Sequence, residues 1–446
     1  MNPGQGDQPS PADPRMTDRD PMTLVEGLDL SPYRLPLRQP WASARGTRRE
    51  RRGWLLRLRA EGLCGYGDCA PLPEAGTEHE EDAGAALCFW QAGVPGQPLA
   101  ALLDRVRRPP SGPGATPAAY FALESALADL AAKQAGVPLR RWLAPEASDE
   151  VPVNATLGTL RDQTPERIVA ACQAGYQVLK LKVGLGAPDA EIAHLRQLAT
   201  HLPAGATLRL DANGAWDYDQ AARLIDRLNE LPVESLEEPL RVPHWQALRR
   251  LQAQASFPLA LDESLHLPAL LVPDPATAGM IGGGPAHAIR GLASGPSLKL
   301  GTGAQIEPPR GPARLIPDQD PEGIGAEGMF PLDGLLSAGD PPVRRLVLKP
   351  ATFGGLQRTL SLARAATNLG FEVVLTSLIE SAAGLWPSLQ LAAALSSPIP
   401  QGLATSSWLA HDLGRVPDPE QGRIWLGQHR GSGFIPRGLA DPDAPD

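Results

Sequence analysis

Cysteine is scarce in this chain: four residues in 446, at Cys64, Cys69, Cys88 and Cys172. That is too few for a disulfide scaffold, and no second cysteine pair or histidine cluster accompanies them, which argues against a zinc site. A reducing, cytoplasmic setting is the expectation. A basic excess is also lacking. Lys and Arg number 41 against 50 Asp and Glu, for a net charge of −9, so no nucleic-acid partner is expected. The one arginine-rich run (Arg45, Arg48, Arg49, Arg51, Arg52) leads into the apolar stretch Trp54–Leu58 and reads as the solvated entrance of a strand. Long apolar runs are missing too. Nothing approaches the ~18 residues of a membrane span, so no membrane partner is expected. The first 22 residues contain no apolar core; they read as a disordered tail and not as a signal peptide.

Glycine (46) and proline (48), by contrast, together make up about a fifth of the chain, well above the ordinary ~12%. The excess is concentrated. From Pro268 to Pro342 more than a third of the positions are Gly or Pro, without sustained periodicity. That stretch reads as an insert in a longer fold.

Around the insert the pattern is regular. Residues 23–148 combine strand-like stretches with a strongly helical run, Tyr120–Gln134, stopped by Gly136 and Pro138. They predict a small α+β domain. From about 149 to 406 short apolar strands alternate with amphipathic helices. Strand candidates are Val151–Thr156, Gln177–Lys182, Thr207–Asp211, Ser235–Glu237, Leu259–Asp262, Arg345–Lys349, Glu372–Thr376 and Ile399–Ala404. With the insert at about 266–342 set aside, the pattern predicts an α/β fold: a (β/α)7–8 TIM-like barrel with an N-terminal α+β cap. Residues 407–446 read as a segment returning to that cap.

The strand ends carry the chemistry. The second strand ends in Lys180-Leu181-Lys182, the third in Asp211, the fourth in Glu237, the fifth in Asp262 and the sixth in Lys349. Outside the insert these are about one βα unit apart. Charges at the C-terminal ends of successive barrel strands converge on one mouth, where barrel active sites lie. Strand alternation puts Lys180 and Lys182 on one face. Three carboxylates on neighbouring strands form a hard-oxygen site suited to Mg²⁺. Beside such an ion, a lysine of lowered pKa can take a proton alpha to a carboxylate while the ion stabilises the enediolate.

The stretches VLKLKVG, LRLDANGAW, LEEP, LALDES and LVLKPATFGG resemble the motifs of the enolase superfamily, in its muconate-cycloisomerase-like branch. RRGWLLRLRAEGLCGYGDCAPLPEAGTEHEE, Arg209 in LRLDANG, TSLIESAAGLW and GLATSSWLAHDL are similar to the proteobacterial o-succinylbenzoate synthase family. The likeness covers most of the chain outside the insert. It implies Mg²⁺ on Asp211, Glu237 and Asp262, with Lys182 as the base, Lys349 across the ring as a cation and Lys180 tuning Lys182. Arg209 and Asn213 are implied supporting groups. Ser377 and Gly402 are implied contacts for the succinyl end.

The implied reaction is syn dehydration of a small cyclohexadiene carboxylate, SHCHC (2-succinyl-6-hydroxy-2,4-cyclohexadiene-1-carboxylate), to 2-succinylbenzoate in menaquinone synthesis. The alternative is an N-succinylamino-acid racemase or dipeptide epimerase built on the same lysines. A monomer is the working expectation. One departure stands out: Pro71-Leu72-Pro73 is followed by Glu74-Ala75, where the family usually has Gly and an aromatic residue.

Overall fold

The computed structural model describes residues 23–43, 46–109, 114–266, 335 and 341–438. The expected tail (1–22) and almost all of the expected insert lie outside the described residues.

Three antiparallel strands open the fold: β1 (Gly27–Ser43), β2 (Gly46–Ala60) and β3 (Leu63–Cys69), in the order β1-β2-β3. Helices α1 (Glu80–Gly93), α2 (Leu99–Val106), α3 (Pro117–Gln134) and the short α4 (Leu139–Leu143) follow. α3 is buried along almost its whole length, as a helix apolar on all sides must be. Strand β3 lies directly on it. A Cβ on Gly65 or Gly67 would sit 2.0 Å from the Ala126 or Ala122 carbonyl oxygen, so the Gly-Tyr-Gly spacing allows this close approach.

The barrel carries strands β5 (Ala155–Thr159), β6 (Val178–Lys182), β7 (Thr207–Asp211), β8 (Val233–Glu237), β9 (Leu259–Leu261), β10 (Arg345–Leu348) and β11 (Glu372–Leu375). They form one parallel seven-stranded sheet in chain order. Its helices are α5 (Pro165–Gln173), α6 (Pro188–Ala199), α7 (Tyr218–Leu228), α8 (Trp245–Gln254), α9 (Pro350–Phe353), α10 (Leu356–Asn368) and α11 (Ala382–Leu395). α7 shows the local logic. Asp217 and Gln220 form a reciprocal capping box at its start. Ala221, Leu224, Ile225 and Leu228 then fall on one buried face at helical spacing.

Two strand expectations are corrected. The stretch Val151–Thr156 is split. β4 (Glu150–Pro152) pairs antiparallel with β12 (Arg423–Trp425), and the first parallel strand begins only at Ala155. The eighth strand, expected at Ile399–Ala404, is reduced to isolated bridges, Val153 to Gln401 and Thr376 to Gly402. Pro398 and Pro400 have no N–H to donate to a ladder. The side chain of Gln401 substitutes, accepting from the Leu375 N–H at 2.6 Å.

Cap and barrel meet closely. Ala410 N donates to the Pro36 carbonyl at 2.8 Å, and Trp408 stacks edge-on against Trp41. Asp68 on β3 accepts from the Ser381 N–H and Oγ at 2.8 and 2.7 Å, and from Tyr33 in its own sheet. Ser381 is the residue that caps α11, so one cap carboxylate holds the start of a barrel helix. Among the described residues no helix is long and apolar enough to cross a membrane.

Candidate active site

Parallel register brings the strand-end charges into one row. Lys182 lies beside Asp211, and Asp211 beside Glu237. Asp262 and Lys349 follow just beyond β9 and β10. All five are buried. Lys180 reaches from one layer below, with Nζ 2.7–2.8 Å from both Glu237 oxygens and 3.1 Å from Asp211 Oδ2. Lys349 lies against both oxygens of Asp262, with Glu263 at 3.8 Å.

Lys182 differs from the other two. Its Nζ donates to Asn213 Oδ1 at 2.8 Å and lies 4.7 Å from the centre of the Trp41 ring, which comes from the cap. Among the described residues no carboxylate pairs with it. Burial pulls the Lys182 pKa below the ordinary value for an amine, and Asp211 only partly opposes this. For Lys180 burial acts in the same direction, but Asp211 and Glu237 outweigh it and hold the group as an ammonium. Asn213 keeps its place through a left-handed backbone (φ 45°), its N–H to Asp211 Oδ1 at 3.1 Å, and its Nδ2 to Glu263.

The carboxylates are crowded. Burial, and then the charge of Asp211, push Glu237 well above the usual carboxylate range. Asp211 is held below that range, because Lys180 and Lys182 outweigh its burial. Among the described residues no three His, Cys, Asp or Glu side chains close on one point as they stand; the ammonium groups of Lys180 and Lys349 fill the space. The donor set nevertheless fits a hard divalent cation. All three groups are oxygen ligands on neighbouring strand ends, and each already lies against a cation: Asp211 and Glu237 against Lys180, Asp262 against Lys349. Glu238, also left-handed (φ 47°), turns away and accepts from the Asp262 and Ser264 N–H groups at 2.6 and 2.9 Å. It thereby fixes the loop that carries Asp262.

The row, apart from Glu237, lies on one wall of a cleft of about 880 Å³, open mouth included. Lys180, Lys182, Asp211, Asn213, Asp262, Lys349 and Ser377 line it from the barrel, with Thr156, Thr376 and Thr405. Ser377 shares a 2.8 Å hydrogen bond with Thr405. Two of the expected residues lie outside this lining. Arg209 faces the barrel interior one layer below Asp211. It pairs with Glu234 at 3.0 and 3.1 Å and reaches Asn154 Oδ1 and the Pro400 carbonyl. Burial would raise the Glu234 pKa, yet Arg209 and Arg345 hold it down at about 2. Arg209 belongs to this buried ionic network and not to the cleft. Gly402 does not line the cleft either. A Cβ there would sit 2.6 Å from Thr376 Oγ1, so it allows close packing at the eighth barrel position.

The cap supplies the opposite wall: Leu37, Trp41, Arg48, Arg51, Leu72, Glu74 and Ala75. The departing Glu74 forms an ion pair with Arg48 at the mouth. The arginine run is therefore not simply a solvated entrance, for Arg51 is only 2% exposed. Its signal in the sequence was position: it lies within reach of the Pro71–Pro73 loop once β2 and β3 pair.

A family model described as "Enolase C-terminal domain-like" matches residues 163–272, and "Mandelate racemase / muconate lactonizing enzyme, N-terminal domain" matches 29–143. An o-succinylbenzoate synthase of Thermosynechococcus vestitus is 36% identical over 237 residues, covering 52% of this chain and 67% of that protein. The chain belongs to the enolase superfamily. An L-Lys-D/L-Arg epimerase of Methylococcus capsulatus is 32% identical over 251 residues, covering 55% of this chain and 70% of that protein. Among solved structures, a dipeptide epimerase from Methylococcus capsulatus complexed with Mg and dipeptide L-Arg-D-Lys superposes with a TM-score of 0.69 at 23% identity. It covers 92% of this chain and 99% of that one. The superfamily fold, with an N-terminal cap beside a parallel barrel sheet, is the fold described above. The relatives carry different reaction names on that one fold, so the chemistry has to be argued from the site.

Proposed function

We propose that this protein is a Mg²⁺-dependent hydro-lyase that dehydrates SHCHC to 2-succinylbenzoate. The observation that carries the reading is the inequality of the lysines. Among the described residues Lys182 has only a neutral amide and an aromatic face as partners, whereas Lys180 and Lys349 are ion-paired. Lys182 is thus, among the described residues, the one lysine of the three that stands apart from the carboxylates proposed to hold the ion, which supports it as the single base of an elimination. A two-base racemisation needs both flanking lysines to exchange protons.

Asp211, Glu237 and Asp262 would hold Mg²⁺. When bound, the ion supplies positive charge against the substrate carboxylate as the alpha carbon loses its proton. Neutral Lys182 takes that proton, with Asn213 orienting its Nζ. The C–O bond to the hydroxyl then breaks on the same face, and Lys182 returns the proton to the departing oxygen. Water leaves and the ring becomes aromatic. Lys349, as a fixed cation on the far side, stabilises the negative charge, and Lys180 adds a second. The cap wall excludes water from the base.

The test is turnover of SHCHC with and without Mg²⁺. Lys182→Ala should reduce turnover by about 10³-fold or more, the scale of a general acid–base contribution, with an unchanged circular dichroism spectrum. No turnover by the wild type would overturn the reading. The second reading, N-succinylamino-acid racemase or dipeptide epimerase, is favoured by the epimerase relative. Deuterium entering an amino-acid substrate from solvent would support it.

A further inference from the structure

Arg51 is a buried cation whose contacts are all neutral. Nη2 donates to the Ala70 carbonyl at 2.6 Å, Nη1 to Pro71 at 3.2 Å and Nε to Ile379 at 3.3 Å. Among the described residues no carboxylate touches it. The nearby acids Asp68 and Glu380 both feel its charge without touching it: Asp68 is engaged by Tyr33 and Ser381, while Glu380 accepts from the Leu378 N–H through one oxygen and its Oε1 makes no hydrogen bond. A guanidinium has five N–H groups, so two remain, and Arg51 lines the cleft. Arg48, the other cap arginine in the wall, differs because Glu74 meets its charge. A desolvated guanidinium without a contacting anion is unfavourable, and its planar fork matches a carboxylate. Leu37, Leu72, Leu378 and Ile379 supply apolar wall in the same cleft.

We infer that Arg51 is a specificity residue that receives a second carboxylate of the substrate, remote from the reacting one. The site would then select dicarboxylates with an apolar middle over monocarboxylates of the same shape. The inference rests on the reading above only in placing the reacting carboxylate at the barrel wall.

The experiment is calorimetric binding to the Mg²⁺-loaded wild type with two matched pairs. One pair is 2-succinylbenzoate and its distal carboxamide. The other is an N-succinylamino acid and its distal carboxamide. The acid should bind at least about 30-fold more tightly than the amide in whichever pair the site accepts. Arg51→Lys should remove most of that preference by weakening the acid while barely changing the amide. Arg51 also ties the cap to the barrel, so the wild-type comparison stands even where the variant is unstable. Acid and amide binding within about threefold in both pairs would overturn the inference, as would failure of every ligand to bind. So would a variant that weakens acid and amide alike. Turnover of SHCHC without an acid preference would sink the inference and leave the dehydratase reading intact. An acid preference confined to the succinylamino pair, without SHCHC turnover, would do the reverse.

Discussion

The Nζ of Lys182, at the end of a barrel strand, lies 4.7 Å from the centre of the Trp41 ring, which belongs to the first strand of the cap. The proposed base and its cover thus come from different domains, barrel and cap. Replacing Trp41 with Leu should admit water to the base. Because burial is the main cause of the depressed Lys182 pKa, rehydration should raise it, and this should outweigh the lost cation–π attraction of roughly 1 kcal/mol. The acid limb of the kcat/KM profile should move to higher pH, with kcat down about tenfold at neutral pH. Trp41→Phe, which keeps an aromatic face, should stay close to wild type. A pH–rate series on the three proteins checks this.

Crowded carboxylates make the protein's stability depend on the cation. Mg²⁺ at about 100 times its Kd should stabilise the fold by about 2.7 kcal/mol, seen as a rise in Tm of several degrees. Glu237→Gln should abolish that rise, since it removes one of the three proposed ligands. Thermal unfolding with chelator and with added Mg²⁺ measures both. An equal rise in the variant would remove Glu237 from the ligand set.

Glu124 on α3 gives a pH dependence remote from the chemistry. Its buried carboxylate accepts from the Leu356 and Gln357 N–H groups at the start of α10. Burial nevertheless raises its pKa from 4.5 to about 7. The folded state therefore binds the proton more tightly than the unfolded chain. Stability from this group is full below about pH 4.5 and falls as pH rises through 7, by up to about 3 kcal/mol. The Tm difference between wild type and Glu124→Gln should accordingly shift against the wild type between pH 5 and pH 8. A pH-independent difference would contradict this.

Arg209→Met should act on folding and not on substrate. It leaves the half-buried Glu234 with one arginine fewer, and because breaking a fully buried pair typically costs 3–5 kcal/mol, the cost here should be about 2–3 kcal/mol. Soluble variant protein should show a lowered Tm with KM unchanged within about twofold. A raised KM with an unchanged Tm would return Arg209 to the binding site.

Much of this was legible in the sequence because strand-end charges recur at βα spacing. Lys180, Lys182, Asp211, Glu237, Asp262 and Lys349 needed only the assumption of parallel register to be brought together. What the sequence hid depended on side-chain direction and distant pairing. Arg209 shares the face of Asp211, so spacing alone could not say that it stops one layer lower, on Glu234. Gly402 and Ser377 are equally near strand ends, but only Ser377 turns toward the cleft. Trp41, Arg48 and Arg51 are far from the motifs in the chain. They reach the site only because β1, β2 and β3 fold over it. The split of Val151–Thr156 depended on β12, more than 250 residues away.

The bond from Asp68 to Ser381 bears on how such a molecule diversifies. One carboxylate serves both the cap's own sheet, through Tyr33, and the first turn of a barrel helix. A cap borrowed whole from a divergent homologue would have to reproduce that carboxylate and its angle, or leave a helix start unmet. New substrate preferences are therefore more accessible through single replacements on the loop around Glu74, where the ion pair is only half-buried, than by exchange of entire halves. The lineage can edit the rim of its cleft while the joint beneath stays fixed.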